Sequence, residues 1–178
     1  VMKSALGRPP RVPELPPHLV GETLYHYGRI MVGGGSSGTL GGRPNADFMT
    51  APQKNHLSAQ GLQTPLMEYS TEWLAVGHLD EIFLFVPDYN RTGPKPWRVV
   101  IASPDLARSA LEGLAERGQG NRKVFENRRS QTTVQGILND EALMFFNDAA
   151  QARIDSIRDQ LIENMELTDA DFVEVPVL

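Results

Sequence analysis

The stretch Trp73-Leu74-Ala75-Val76-Gly77-His78-Leu79-Asp80-Glu81 decides how this chain reads. It follows a strand-like run at 66–69 and precedes the apolar run Ile82-Phe83-Leu84-Phe85-Val86. In extended backbone, successive side chains alternate faces, so His78 and Asp80 point the same way. An imidazole beside a fixed carboxylate is what proton transfer at a planar carbon centre needs. Gly77 removes a side chain just before the pair and lets a substrate approach the backbone. From spacing alone, a His-x-Asp pair is more often a surface hydrogen-bonded pair than a catalytic one.

Outward from that stretch, the run 82–86 is apolar on both faces and predicts a central, fully covered strand that holds His78 and Asp80 rigidly. Residues 88–96 contain Gly93, Pro94 and Pro96 and predict a hairpin loop. Residues 97–102 then return antiparallel to 82–86. Upstream, 24–32 and 66–69 predict strands. Thr50-Ala51-Pro52-Gln53 predicts a helix start, with a capping box and proline in the first turn, and Gly61 predicts its stop. The glycines from Gly33 to Gly42 are not followed by Gly-Lys-Ser/Thr, which argues against a phosphate cradle and for a mobile loop over a cleft or, equally, a disordered segment.

Ser103-Pro104-Asp105 starts a second helix whose apolar face is Leu106, Ala110, Leu111 and Leu114, ending at 118–121. The basic stretch 121–130, with Arg122, Lys123, Arg128 and Arg129, reads as a solvated loop or helix end of an acidic protein rather than a patch for an anionic partner. Residues 133–138 and 139–165 read as helical, with Ile154, Ile157, Leu161 and Met165 at core spacing and Phe145-Phe146 in the core. Asp169 and Asp171 read as caps rather than metal ligands, and 171–177 as a final strand. Residues 1–23, with five prolines, read as an extended arm in which His18 is a solvated loop histidine.

The 178 residues carry a net charge of -5, which argues against nucleic acid as a partner. No apolar run reaches the length of a membrane span, so no membrane partner is expected. There is no cysteine, which removes disulfides, thiolate metal sites and a cysteine nucleophile from these residues.

The central stretch, with Val86-Pro87 after it, resembles the second active-site segment of the protein-arginine deiminases. The wider guanidino-group-modifying superfamily shares the shorter Gly-His-x-Asp core. Tyr25-His26-Tyr27-Gly28-Arg29-Ile30-Met31-Val32-Gly33, Leu57-Ser58-Ala59-Gln60 with Gln63-Thr64-Pro65, Val99-Val100-Ile101-Ala102-Ser103-Pro104 and the segment from Leu167 to Pro176 extend the likeness over most of the chain.

The resemblance implies an α/β (α+β) fold, a fragment of a five-bladed propeller of ββαβ modules, of which this chain supplies about two. Residues 24–178 would then be part of the catalytic domain, without its upstream Asp and downstream Cys segments. The start at Val1 and the end on an apolar strand carry the same expectation of a longer parent chain.

The implied activity is calcium-dependent hydrolysis of peptidyl-arginine to citrulline and ammonia. A guanidinium is planar, cationic and rich in donors, and a carboxylate takes two of them in a fork. Asp80 is thus the expected guanidinium anchor, His78 the general acid/base, and Val76 a residue whose backbone lines the substrate slot. Calcium enters through the resemblance alone, with no metal ligand to name in this chain. The expected partners are an arginine-containing protein or peptide and a second copy of the chain; the expected compartment is the cytoplasm. Two other readings stay open: a guanidino-modifying enzyme acting on free arginine or agmatine, and a non-catalytic module that binds arginine side chains.

Overall fold

The computed structural model describes residues 18–34, 49–61, 63–93, 95–124 and 131–178. The chain divides into two compact units, Val1–Ile101 with Ser156–Val173, and Ala102–Asp155 with Glu174–Leu178. The class is mixed α/β, as expected, built from small sheets and helices.

In the first unit, β1 (His18–Val20) and β2 (Thr23–Tyr25) form an antiparallel hairpin. Gly21 turns it with φ +55°, a conformation that costs glycine little. Residues 18–23 therefore form a hairpin where an arm is expected, while 1–17 lie outside the described residues. The expected strand at 24–32 divides: the Gly28 N–H donates to the Tyr25 carbonyl at 3.2 Å and closes a turn, and β3 begins only at Met31 (Met31–Gly34). Gly33 and Gly34 thus belong to a buried strand, and the rest of the glycine-rich loop lies outside the described residues.

After β3 comes α1 (Ala51–Ala59), where the Thr50 N–H donates to Gln53 Oε1 at 2.8 Å, one half of the expected capping box. β4 (Met67–Ser70) then pairs parallel with β3, Met31 against Met67 and Gly34 against Ser70.

β5 (Phe83–Pro87) and β6 (Trp97–Ser103) pair antiparallel, Phe83 against Ile101 and Pro87 against Trp97. The sheet order is β5-β6-β9, with β9 at Phe172–Pro176. This corrects the expectation for 82–86. β5 is an edge strand of this sheet, and its Leu84 is 44% exposed. The covered central strand is β6, where Trp97, Val99 and Ile101 alternate inward. An unbroken apolar run shows that a strand is hydrophobic, not which neighbours it has. Edge-to-face ring contacts of Tyr69 with Phe83 (5.7 Å), Phe83 with Phe85 (5.9 Å) and Phe85 with Trp97 (5.0 Å) fasten β4 to this sheet. Such pairs contribute about 0.5–1.5 kcal/mol each beyond area burial.

The end of α4 (Glu141–Met165) also belongs to this unit, with Ile157, Leu161 and Met165 buried at the expected spacing. Its carbonyl end meets two cations: the Arg29 guanidinium donates to the Asn164 carbonyl and Lys95 Nζ to the Glu166 carbonyl. A helix C-terminus favours positive charge. Arg29 also lies 4.5 Å over the Tyr25 ring, and burial lowers its pKa.

In the second unit, α2 (Pro104–Leu114) is capped as expected, the Leu106 N–H donating to Ser103 Oγ at 3.2 Å. Its apolar face is rotated from the expected one. Pro104, Ala107 and Leu111 are buried, Leu106 is 39% exposed and Ala110 is exposed. Leu111 packs with Val134 and Ile137 of α3 (Val134–Leu138), and Leu143 and Met144 of α4 close over them. Because Leu143 and Met144 take the inner side, Phe145 and Phe146 turn outward, 63% and 55% exposed. That corrects their assignment to the core. β7 (Lys123–Val124), inside the stretch read as a loop, pairs antiparallel with β8 (Thr132–Thr133), which lies beyond it, while Arg128 and Arg129 lie outside the described residues. No helix among the described residues is long and apolar enough to cross a membrane.

Candidate active site

The expected extended segment around His78 is not a strand. Past β4, the chain turns: the Leu74 N–H donates to the Thr71 carbonyl at 3.1 Å, and the Trp73 side chain ties back through Nε1, which donates to the Ser70 carbonyl at 3.0 Å. Gly77 then has φ +81°, outside extended backbone. His78 is extended, φ -90° and ψ 137°, and it stands at the N-cap of a single 3-10 turn at Leu79–Glu81. The Glu81 N–H donates to the His78 carbonyl at 3.3 Å, and the Ile82 N–H to the Leu79 carbonyl at 2.9 Å.

This turn brings His78 and Asp80 together by another route. The two residues flank Leu79, which is fully buried, and Ile82, at 2% exposure, is the second anchor. With those apolar side chains directed inward, His78 and Asp80 both reach solvent. His78 Nδ1 lies 4.0 Å from Asp80 Oδ1, with side chains 36% and 67% exposed. That distance is too long for a hydrogen bond. It is a solvent-exposed contact of the kind that contributes little to stability. Val76, at 49% exposure, stands at the surface of the same turn. All three residues singled out in the sequence therefore lie on one accessible loop.

Sequence reasoning passed over the floor of this loop. Thr71 is fully buried and Glu72 is 8% exposed. Thr71 Oγ1, Glu72 Oε2 and Ser70 Oγ are buried without a hydrogen-bond partner. Beneath them Gly33 of β3 touches the loop so closely that a Cβ would lie 2.9 Å from the Gly77 carbonyl oxygen. The readable signal was the pair Gly33-Gly34 directly after the apolar Met31-Val32, which marks close backbone approach in a strand.

Residues 11–178 match the family model described as Protein-arginine deiminase (PAD). The chain belongs to the protein-arginine deiminase family. It is 36% identical to the protein-arginine deiminase type-3 of Mus musculus over 168 residues, covering 92% of this chain and 24% of that protein. It is 35% identical to the type-1 enzyme of Homo sapiens over 165 residues and 31% to the human type-4 enzyme over 167, with the same coverage of 92% and 24%. The chain thus spans about a quarter of the length of the deiminases it matches. The deiminase likeness first read from Trp73 to Glu81 extends across both units.

Among the described residues, no three His, Asp or Glu side chains are grouped to hold a metal ion.

Proposed function

We propose that this chain supplies the histidine and aspartate half of a site that hydrolyses peptidyl-arginine to citrulline and ammonia. Membership of the deiminase family supports the reaction class. The observation that carries the residue assignment is the placement of His78 and Asp80, 4.0 Å apart on an anchored turn and open to solvent.

Asp80 takes two guanidinium N–H donors in a fork and so fixes the plane of the reacting group. A cysteine thiolate of the parent protein, outside these 178 residues, adds to the guanidinium carbon. His78 gives its proton to the departing nitrogen, ammonia leaves, and a thiouronium forms. Water then adds at the same carbon and loses a proton to His78. The thiolate departs, the protonated urea that is left gives its extra proton to solvent or to the released ammonia, and the ureido group of citrulline remains. Val76, two residues before His78, lines the slot for the arginine stem. Calcium belongs to this reading as a requirement of the parent enzyme, and no step here passes through it. The parent fold is a five-module ββαβ propeller, its partner an arginine-containing polypeptide, and its compartment the cytoplasm.

Benzoyl-arginine amide titrated onto the chain, with benzoyl-lysine amide as control, tests this reading through the ring resonances of His78. A response to the guanidinium compound that the amine does not match is expected. Equal responses, or none, would remove the assignment. No citrulline should be released by these residues alone, because they contain no cysteine.

A further inference from the structure

Gly33 lies in β3, under the loop that carries His78. A Cβ at this position would lie 2.5 Å from Thr71 Oγ1, 3.2 Å from Thr71 Cγ2 and 2.9 Å from the Gly77 carbonyl oxygen. Two of those distances are shorter than real Cβ atoms adopt, so the loop rests on bare backbone. The two neighbours differ in kind. Thr71 can rotate or be replaced, but a carbonyl oxygen moves only with its peptide plane. That plane is the Gly77–His78 peptide.

The same peptide has little freedom elsewhere. Gly77 holds φ +81°, where side-chain-bearing residues are strained. Beyond His78, buried Leu79 and Ile82 pin the turn. His78 is therefore suspended between a contact with Gly33 on one side and two core anchors on the other.

We infer that Gly33 is a positioning residue for His78: its missing side chain lets the Gly77 carbonyl seat against β3, and that seat aims the imidazole toward Asp80. The meaning of this for catalysis rests on the proposed role of His78 in proton transfer. The placement of the ring does not.

The test compares the full 178-residue chain with Thr71→Ala, Gly33→Ala/Thr71→Ala and, as control, Gly120→Ala. Truncating Thr71 removes both side-chain atoms that a new Cβ would meet, leaving the Gly77 carbonyl as its close neighbour. At Gly120 the nearest atom, Gln135 Oε1, is 3.4 Å away and belongs to a flexible side chain. The readout is the ring carbon–proton resonances of His78, with the indole N–H of buried Trp97 reporting the fold. The expected result is a displaced His78 resonance in the double variant, with Thr71→Ala and Gly120→Ala close to the parent chain and Trp97 unchanged throughout. An unmoved His78 in the folded double variant overturns the inference. So does an equal displacement in Thr71→Ala alone. Loss of the fold in the double variant makes Gly33 a packing residue and overturns it too. If the His78 displacement is found but benzoyl-arginine amide never binds the parent chain, the arginine reading falls and the role of Gly33 stands.

Discussion

Arg91 and Asp171 form an ion pair, Nη1 to Oδ1 2.7 Å, that ties the β5–β6 hairpin loop to the turn before β9. The Asp171 side chain is 8% exposed, and its other oxygen accepts the Thr168 N–H at 2.7 Å and the Thr168 hydroxyl at 2.9 Å. Burial alone would raise this carboxyl, but the Thr168 donors and the Arg91 guanidinium outweigh it, and its pKa lies below the usual value. A depressed carboxyl stabilises the fold above the unfolded pKa of about 3.9, and the contribution is lost as pH falls through the folded value. Asp171→Asn is therefore expected to cost about 2–3 kcal/mol at neutral pH, with the gap to the parent chain narrowing below about pH 4. Urea melts of both proteins across pH check this. Asp88, held down chiefly by its hydrogen bond from Arg98, should leave a residual acid slope in the variant.

Thr71 is buried with a hydroxyl that has no partner. Valine has nearly the same shape and no oxygen to desolvate. Thr71→Val is expected to raise stability by about 1 kcal/mol, read as a higher urea midpoint at unchanged slope. A lower midpoint would mean that the hydroxyl has a partner in solution.

Two positions on α4 should respond in opposite ways. Ile157 is 1% exposed, and Ile157→Ala is expected to cost about 2–5 kcal/mol. Phe145 is 63% exposed, and Phe145→Gln should stay within about 0.5 kcal/mol of the parent chain. Thermal denaturation of the two variants decides it; a large loss at Phe145 would place that ring in a packed environment.

In a full-length deiminase carrying this stretch, Asp80→Asn should lower kcat/KM for an arginine peptide at least about tenfold. A hydrogen bond to a charged group contributes about 1.5–3 kcal/mol, and about 1.4 kcal/mol is tenfold. Initial rates of citrulline release measure it. Activity close to that of the parent enzyme would take Asp80 out of the site.

Much of this chain is written locally. Helix ends need only neighbouring groups, and Thr50 with Gln53, Ser103 with Pro104, and Gly61 and Gly118 each stand where such chemistry puts them. Spacing along one helix likewise marked Ile154, Ile157, Leu161 and Met165 as core before any partner was known. The Trp73–Glu81 stretch was enough to point to the deiminase family, because its residue types and order are distinctive in themselves. Tertiary structure decided what depends on a second element. Whether 82–86 is central or edge is settled by which strands lie beside it. The aspect of α2, and of Phe145 and Phe146, that faces inward depends on where α3 and its neighbours pack. The link between His78 and Asp80 was read as strand alternation but is made by a capped turn, because Gly33 admits the Gly77 carbonyl while Leu79 and Ile82 claim the interior. Alternation is a property of one segment; a loop seated on a bare glycine two elements away is a property of the folded chain.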